Sequence, residues 1–150
     1  MVKTTGKKQH YFEAVGRRKN AVCRVRFYLV EGKETAVAGV TVTKSTIMVN
    51  NKDASVYFPG TLAHKMYMQP LELTSSVNRF AIICKAVGGG NNSQLDAFRL
   101  GISRALEKVN AEYRLILKPH NLLATDPRVR QRRMAGMAGK SRAKRQSPKR

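Results

Sequence analysis

The chain has 150 residues, with 29 Lys and Arg against 9 Asp and Glu, and its formal charge of +20 works against compactness unless a polyanion screens it. A hydrophobic fraction of 42% argues against a wholly disordered chain, and 2 cysteines are too few for a disulfide framework. The longest uncharged run, Ala54 to His64, has 11 residues, short of the roughly 20 that a transmembrane helix needs, and no apolar signal segment follows the basic N-terminus.

The first 26 residues are basic, with Lys3, Lys7, Lys8, Arg17, Arg18, Lys19, Arg24 and Arg26 against Glu13 alone. Gly16-Arg17-Arg18-Lys19-Asn20 reads as the junction of two strand segments. Three cations beside a glycine suit either a phosphate clamp or a solvated turn. Period-two alternation predicts a strand over Ala21 to Val30, with Ala21, Cys23, Val25, Phe27 and Leu29 on a core face. Val22, Arg24, Arg26 and Tyr28 fall on the other face, which combines cations with an aromatic. A turn at Glu31 to Glu34 and a β-branched run from Thr35 to Thr43 predict a hairpin with that strand.

A short strand over Thr46 to Val49, a polar turn at Asn50 to Asp53 and a helix over Leu62 to Met68, stopped by Pro70, follow. Arg79 to Val87 reads as a strand with Phe80, Ile82, Cys84 and Ala86 inward. Next comes a run of glycines, Gly88, Gly89 and Gly90, opening a helix in which Leu95, Phe98, Ile102, Ala105, Leu106 and Val109 share one side. Asp96, Arg99, Arg104, Glu107 and Lys108 take the opposite side. A second helical piece over Ala111 to Leu117 ends at Pro119, and Pro127 to Met134 suits a short basic helix capped by Thr125 or Asp126. The element order predicts an α+β fold, a mixed β-sheet packed by helices.

Little in the chain suggests chemistry. The glycine run is either a flexible turn or a cradle of backbone N–H groups for a phosphate, and Ser93 and Gln94 either donate to a ligand or cap the helix. It lacks the Gly-Lys-Ser/Thr of a nucleotide-binding loop and the spacing of a dinucleotide fingerprint. His10, His64 and His120 lie apart, with no metal-ligand spacing, and Cys23 and Cys84 fall on core faces as inert thiols of a reducing compartment. Tyr11, Phe12, Tyr28, Tyr57, Tyr67 and Tyr113 read as edges of the core rather than platforms for bases. The last 24 residues, from Pro127, hold ten basic residues, no acid and no Leu, Ile, Phe, Tyr or Trp. Such a segment cannot bury enough apolar surface to order itself, and its charge suits nucleic acid. This divides the chain into a domain over 1–126, with a basic arm over 1–10, and an extended basic tail over 127–150.

Six segments together carry a resemblance. They are GRRKNAV from Gly16, QPLEL from Gln69, GGGNNSQ from Gly88, FRLGISRAL from Phe98, LLATDPRVRQRR from Leu122 and the terminal Lys149-Arg150. In this order and spacing, from about Tyr11 to Arg150, the chain resembles the family of the ninth protein of the small ribosomal subunit, in its bacterial-type form. The resemblance implies a left-handed βαβ crossover within the α+β domain, the fold of the second domain of the fifth small-subunit protein. It also implies a structural, non-enzymatic role in the head of the subunit, in support of translation. Implied partners are small-subunit ribosomal RNA, peptidyl-site transfer RNA and neighbouring head proteins. No cofactor, metal, membrane or small-molecule substrate is implied.

Carried over by position, contacts to ribosomal RNA fall to Arg17, Arg18, Lys19, Gly88, Gly89, Gly90, Gln94, Arg99, Arg128, Arg130, Arg132, Arg133, Arg142, Lys144 and Arg145. Lys149 and Arg150 would approach the anticodon stem-loop of the transfer RNA. The chain departs from the family pattern at Ser93, where a glycine is usual, at Leu100, where a histidine is common, and at Ser147-Pro148, which replace an aromatic and a serine. Residues 31–45 are longer than the usual hairpin. With no transit peptide visible, the expected place is a ribosome of the bacterial cytoplasm rather than an organelle.

Overall fold

The computed structural model describes residues 10–29, 35–37, 40–132 and 135, with the backbone alone at 35–37 and 40–42. The chain order is β1 (Tyr11–Arg18), β2 (Ala21–Leu29), β3 (Thr35–Val37), β4 (Val40–Val42), β5 (Ile47–Val49), β6 (Lys52–Asp53), α1 (Ala54–Tyr57), α2 (Thr61–Leu73), β7 (Phe80–Val87), α3 (Asn91–Val109) and α4 (Tyr113–Leu117). Five strands form one sheet in the order β1-β2-β7-β5-β6, and β3 and β4 form a separate pair. The sheet is mixed, because β5 pairs in parallel with β7 and its other pairings are antiparallel. The α+β reading of the sequence therefore holds at this level.

Alternation sorts the side chains. Ala14 of β1, Cys23, Val25 and Phe27 of β2, and Phe80, Ile82 and Cys84 of β7 are buried with Phe98, Ile102 and Leu106 of α3 in one core. The opposite face holds Tyr11, Glu13, Val15 and Arg17 of β1, in register with Tyr28, Arg26, Arg24 and Val22 of β2. Those pair in turn with Ala81, Ile83, Lys85 and Val87 of β7. One end of this face closes over Tyr28 and Ala81, with Met48 and Ile83 against them. Tyr28 keeps its expected place on this opposite face but is buried there, whereas Leu29, expected on the core face, is exposed.

The seam between β1 and α3 explains Gly16. A Cβ there would collide with the carbonyl oxygen of Ala97 and approach the amide nitrogen of Gly101, so the strand lies directly on the helix backbone. The expected turn at Gly16–Asn20 is shorter than the sequence suggests. Gly16, Arg17 and Arg18 stay in the strand, and the reversal is made by Lys19, at φ 51°, and Asn20.

Asn50 closes the flank of β7. Its backbone N–H donates to the Cys84 carbonyl at 2.9 Å. Its side-chain amide then acts as a further rung, donating to the Ala86 carbonyl at 3.0 Å and accepting from the Ala86 N–H at 2.9 Å.

Three expectations need correction. Strand β2 forms its hairpin with β1, and β3 pairs with β4 instead of with β2. Helix α2 runs through Pro70 to Leu73, because proline removes one donor near the end of the helix while Tyr67, Pro70 and Leu71 are buried there. Thr74 Oγ1 donates to the Pro70 carbonyl at 2.9 Å and closes the last turn. Residues 124–132 form no helix, since Asp126 accepts the Arg128 N–H at 2.9 Å in a local turn. Residues 1–9 of the expected arm over 1–10, the turn at 31–34 and the site residues Arg133, Arg142, Lys144, Arg145, Lys149 and Arg150 lie outside the described residues.

Candidate nucleic-acid interface

The basic edge starts from a strand end. Alternation in β1 sends Arg18 to the helix side of the sheet and leaves Arg17 exposed. In α3, Asp96 lies one turn beyond the helix start and meets Arg18, with Nε to Oδ2 at 3.5 Å. After α4 the chain is pinned by the buried Leu122 and crosses the end of β1 without regular structure. There Asp126 Oδ2 lies 2.9 Å from Arg18 Nη1. That nitrogen is buried and misaligned for a hydrogen bond, so the contact is ionic only. Arg128 grips the same carboxylate with Nη2 at 2.6 Å. The side-chain hydrogen bonds from Arg128, then its backbone N–H, with charge from Arg128 and Arg18, hold the Asp126 carboxyl far below the usual carboxylate range.

Arg104, on the side of α3 opposite the apolar stripe, is a cross-tie. Its Nη1 donates to the Val15 carbonyl at 3.2 Å and its Nη2 to Thr125 Oγ1 at 2.7 Å. Lys108 does the same further along the helix, with Nζ donating to the Glu13 carbonyl at 2.6 Å. Sequence periodicity places both side chains away from the core but says nothing of strand carbonyls 89 and 95 residues earlier.

These ties leave a cleft of about 410 Å³ lined by Arg17, Arg18, Arg99 and Arg128, with Asp96 and Asp126 and a floor of Leu100 and Leu122. Four arginines against two aspartates leave an excess of two positive charges. A smaller depression of about 260 Å³ lies along the same crossing segment, lined by Lys19, Asn20, Gly89, Gly90, Ser93, Val129 and Arg130, with no acid. Arg132 is exposed further along that segment.

The glycine run is shaped by close packing at two positions and open at the third. Gly88 and Gly89 have φ of +74° and +64°, and a Cβ on either would press on Asn20 or Ala21. Gly90 has open space around it and precedes the first turn of α3. Gln94 braces the run: its Nε2 donates to the Gly88 carbonyl at 3.0 Å and its Oε1 accepts from Tyr57 at 2.8 Å. Of the expected site residues, Arg17, Lys19, Gly89, Gly90, Arg99, Arg128 and Arg130 thus share one edge. Arg18 and Gln94 make contacts within the protein that shape it.

Among the described residues no three His, Cys, Asp or Glu side chains gather at a metal-binding distance, and no helix is long and apolar enough to cross a membrane. Cys23 and Cys84 are free and buried, and the Cys84 thiol is pushed up by its hydrogen bond with Cys23 and by burial.

The fold and edge define an α+β domain with a cation-lined margin. The family described as ribosomal protein S9/S16 matches the chain over residues 16–150, and the chain belongs to it. Over 139 residues it is 38% identical to the small ribosomal subunit protein uS9 of Rickettsia conorii, covering 93% of this chain and 79% of that protein. Membership makes the chain a structural constituent of the small ribosomal subunit and not an enzyme.

Proposed function

We propose that this protein binds small-subunit ribosomal RNA in the head of the subunit through the edge formed by the end of β1, the glycine run and residues 124–132. The observation that carries the reading is the pair of adjoining basic clefts, which gather Arg17, Arg99 and Arg128 in one and Lys19 and Arg130 in the other. Arginine matches phosphate oxygens in a bidentate fork, and the first turn of α3 after the open Gly90 has backbone N–H groups without intrahelical partners as further donors. Phosphate contacts position a protein on RNA without reading sequence, so recognition is of RNA shape. The domain over 1–126 is the docking body, and the tail over 127–150 enters the RNA, with Lys149 and Arg150 at the anticodon stem-loop of peptidyl-site transfer RNA. The parallel pairing of β5 with β7 requires a crossover between them; the reading includes a left-handed sense for it, which the family implies, and a place in bacterial-type ribosomes.

The test is the salt dependence of binding between the full chain and small-subunit ribosomal RNA, with duplex DNA as competitor. Replacing Arg99 and Arg130 by glutamine should leave stability within about 0.5 kcal/mol. It should also lower the slope of log affinity against log salt by about one for each cation removed. An unchanged slope rejects the clefts as the interface. A chain that ends before Lys149 should assemble normally and hold peptidyl-site transfer RNA more weakly, and unaltered occupancy rejects the role of the tip.

A further inference from the structure

The sheet face opposite α3 carries a patch that the edge does not use. Arg24 of β2 and Lys85 of β7 are direct cross-strand partners, and both are exposed. Like charges placed opposite one another on neighbouring strands are destabilising. Among the described residues of β1, β2 and β7 the carboxylate on this face is Glu13, which is 2.6 Å from Arg26 Nε, and neither Arg24 nor Lys85 has an ion-pair partner. The Arg24–Lys85 pair therefore stands without a counter-charge from the described part of the chain. Beside it lies a second cross-strand pair, Val22 and Val87, 39% and 59% exposed. An exposed aliphatic pair bordering two cations is not the make-up of a merely solvated face. Arg17 is next to Val22 in register, and it also lines the larger cleft around the corner of the same strand.

We propose that ribosomal RNA held at the cleft continues past Arg17 onto this open face, where Arg24 and Lys85 share its phosphates and Val22 and Val87 lie against its riboses. The proposal rests on the RNA-binding reading above and extends it to a second surface. Neighbouring strands are about 4.8 Å apart, so the two cations converge on one or two adjacent phosphates. A polyanion converts their repulsion in the free protein into attraction in the complex, and the continuity through Arg17 lets one RNA segment serve both surfaces.

The experiment uses the full chain and its Arg24→Gln/Lys85→Gln variant with small-subunit ribosomal RNA as the probe. The melting midpoint of the free variant should equal or exceed that of the parent, because a repulsive pair is gone. The salt slope should fall by about two. Hydroxyl-radical protection should disappear at nucleotides next to those protected by the cleft and persist at the cleft itself. A parent chain without salt-dependent RNA binding overturns the RNA-binding reading and this proposal with it. A parent that binds, with a variant of identical slope and footprint, overturns this proposal alone and leaves the patch to a neighbouring protein. Should the double variant fold poorly, Lys85→Gln alone, at an exposed position, should lower the slope by about one, and no change there overturns the proposal equally.

Discussion

Arg17 and Arg18 are neighbours in sequence and differ in what faces them. Arg18 turns toward α3, where Asp96 and Asp126 meet it. Arg17 is exposed at the mouth of the cleft and has no ion-pair partner among the described residues. The same division runs along the molecule. At the seam between β1 and α3, Arg104 and Lys108 reach backbone carbonyls of the strand. On the rim, Lys19, Arg99 and Arg130 line the clefts and form no ion pair among the described residues. Part of the cationic excess thus holds helix to strand, and part is left over for an outside anion. Net charge alone does not distinguish the two groups; strand alternation and the position of each carbonyl do.

The comparison can be broken first at the seam. Gly16→Ala puts a methyl group into the backbone of α3 at Ala97. It should destabilise the fold by about 3 kcal/mol, measured by urea unfolding, whereas changes on the rim should leave the unfolding curve in place. Arg104→Ala is the next largest. It removes the bonds to Val15 and Thr125 and should lower stability by about 1–2 kcal/mol in the same measurement, with faster amide exchange around Thr125. The smallest effect sharpens the boundary between the groups. The Asp126 carboxyl is depressed by Arg128 and then Arg18. Its hold on the crossing segment is therefore complete above the ordinary aspartate value of about 4 and lost only as pH falls toward the lower folded value. Protection of the Arg128 amide should stay level from neutral pH down to about 4 and decline below it. Asp126→Asn should speed that exchange several-fold at neutral pH. A decline that begins well above pH 4 would place the hold on another group.

Much of this was legible in the chain. The period-two pattern of β2 and β7 and the helical spacing from Leu95 to Val109 mark the core, because burial repeats with the geometry of the element itself. The cations of the edge were also legible, since charge clusters survive any fold. What was hidden depends on contacts between distant segments. The β1–β2 turn uses Lys19 at positive φ, where a sequence signal would be Asn-Gly. Gly16 looked like part of a loop because its real neighbour, Ala97, is eighty-one positions away. Pro70 looked like a stop because burial of its ring cannot be read from local preference. The partners of Arg104 and Gln94 were not legible either, because their acceptors, the Val15 and Gly88 carbonyls, lie outside the helix that carries them.

Asn50 has a consequence beyond the register of one strand. Strand β5 covers β7 only as far as Cys84, yet the Asn50 amide satisfies both backbone groups of Ala86 after the main chain has turned away. A bare stretch there would be a template on which a second copy could pair, the usual route to sheet-mediated aggregation. For so charged a chain waiting to be built into a larger particle, one side-chain amide seals the flank against self-association and leaves the neighbouring glycine run free of it.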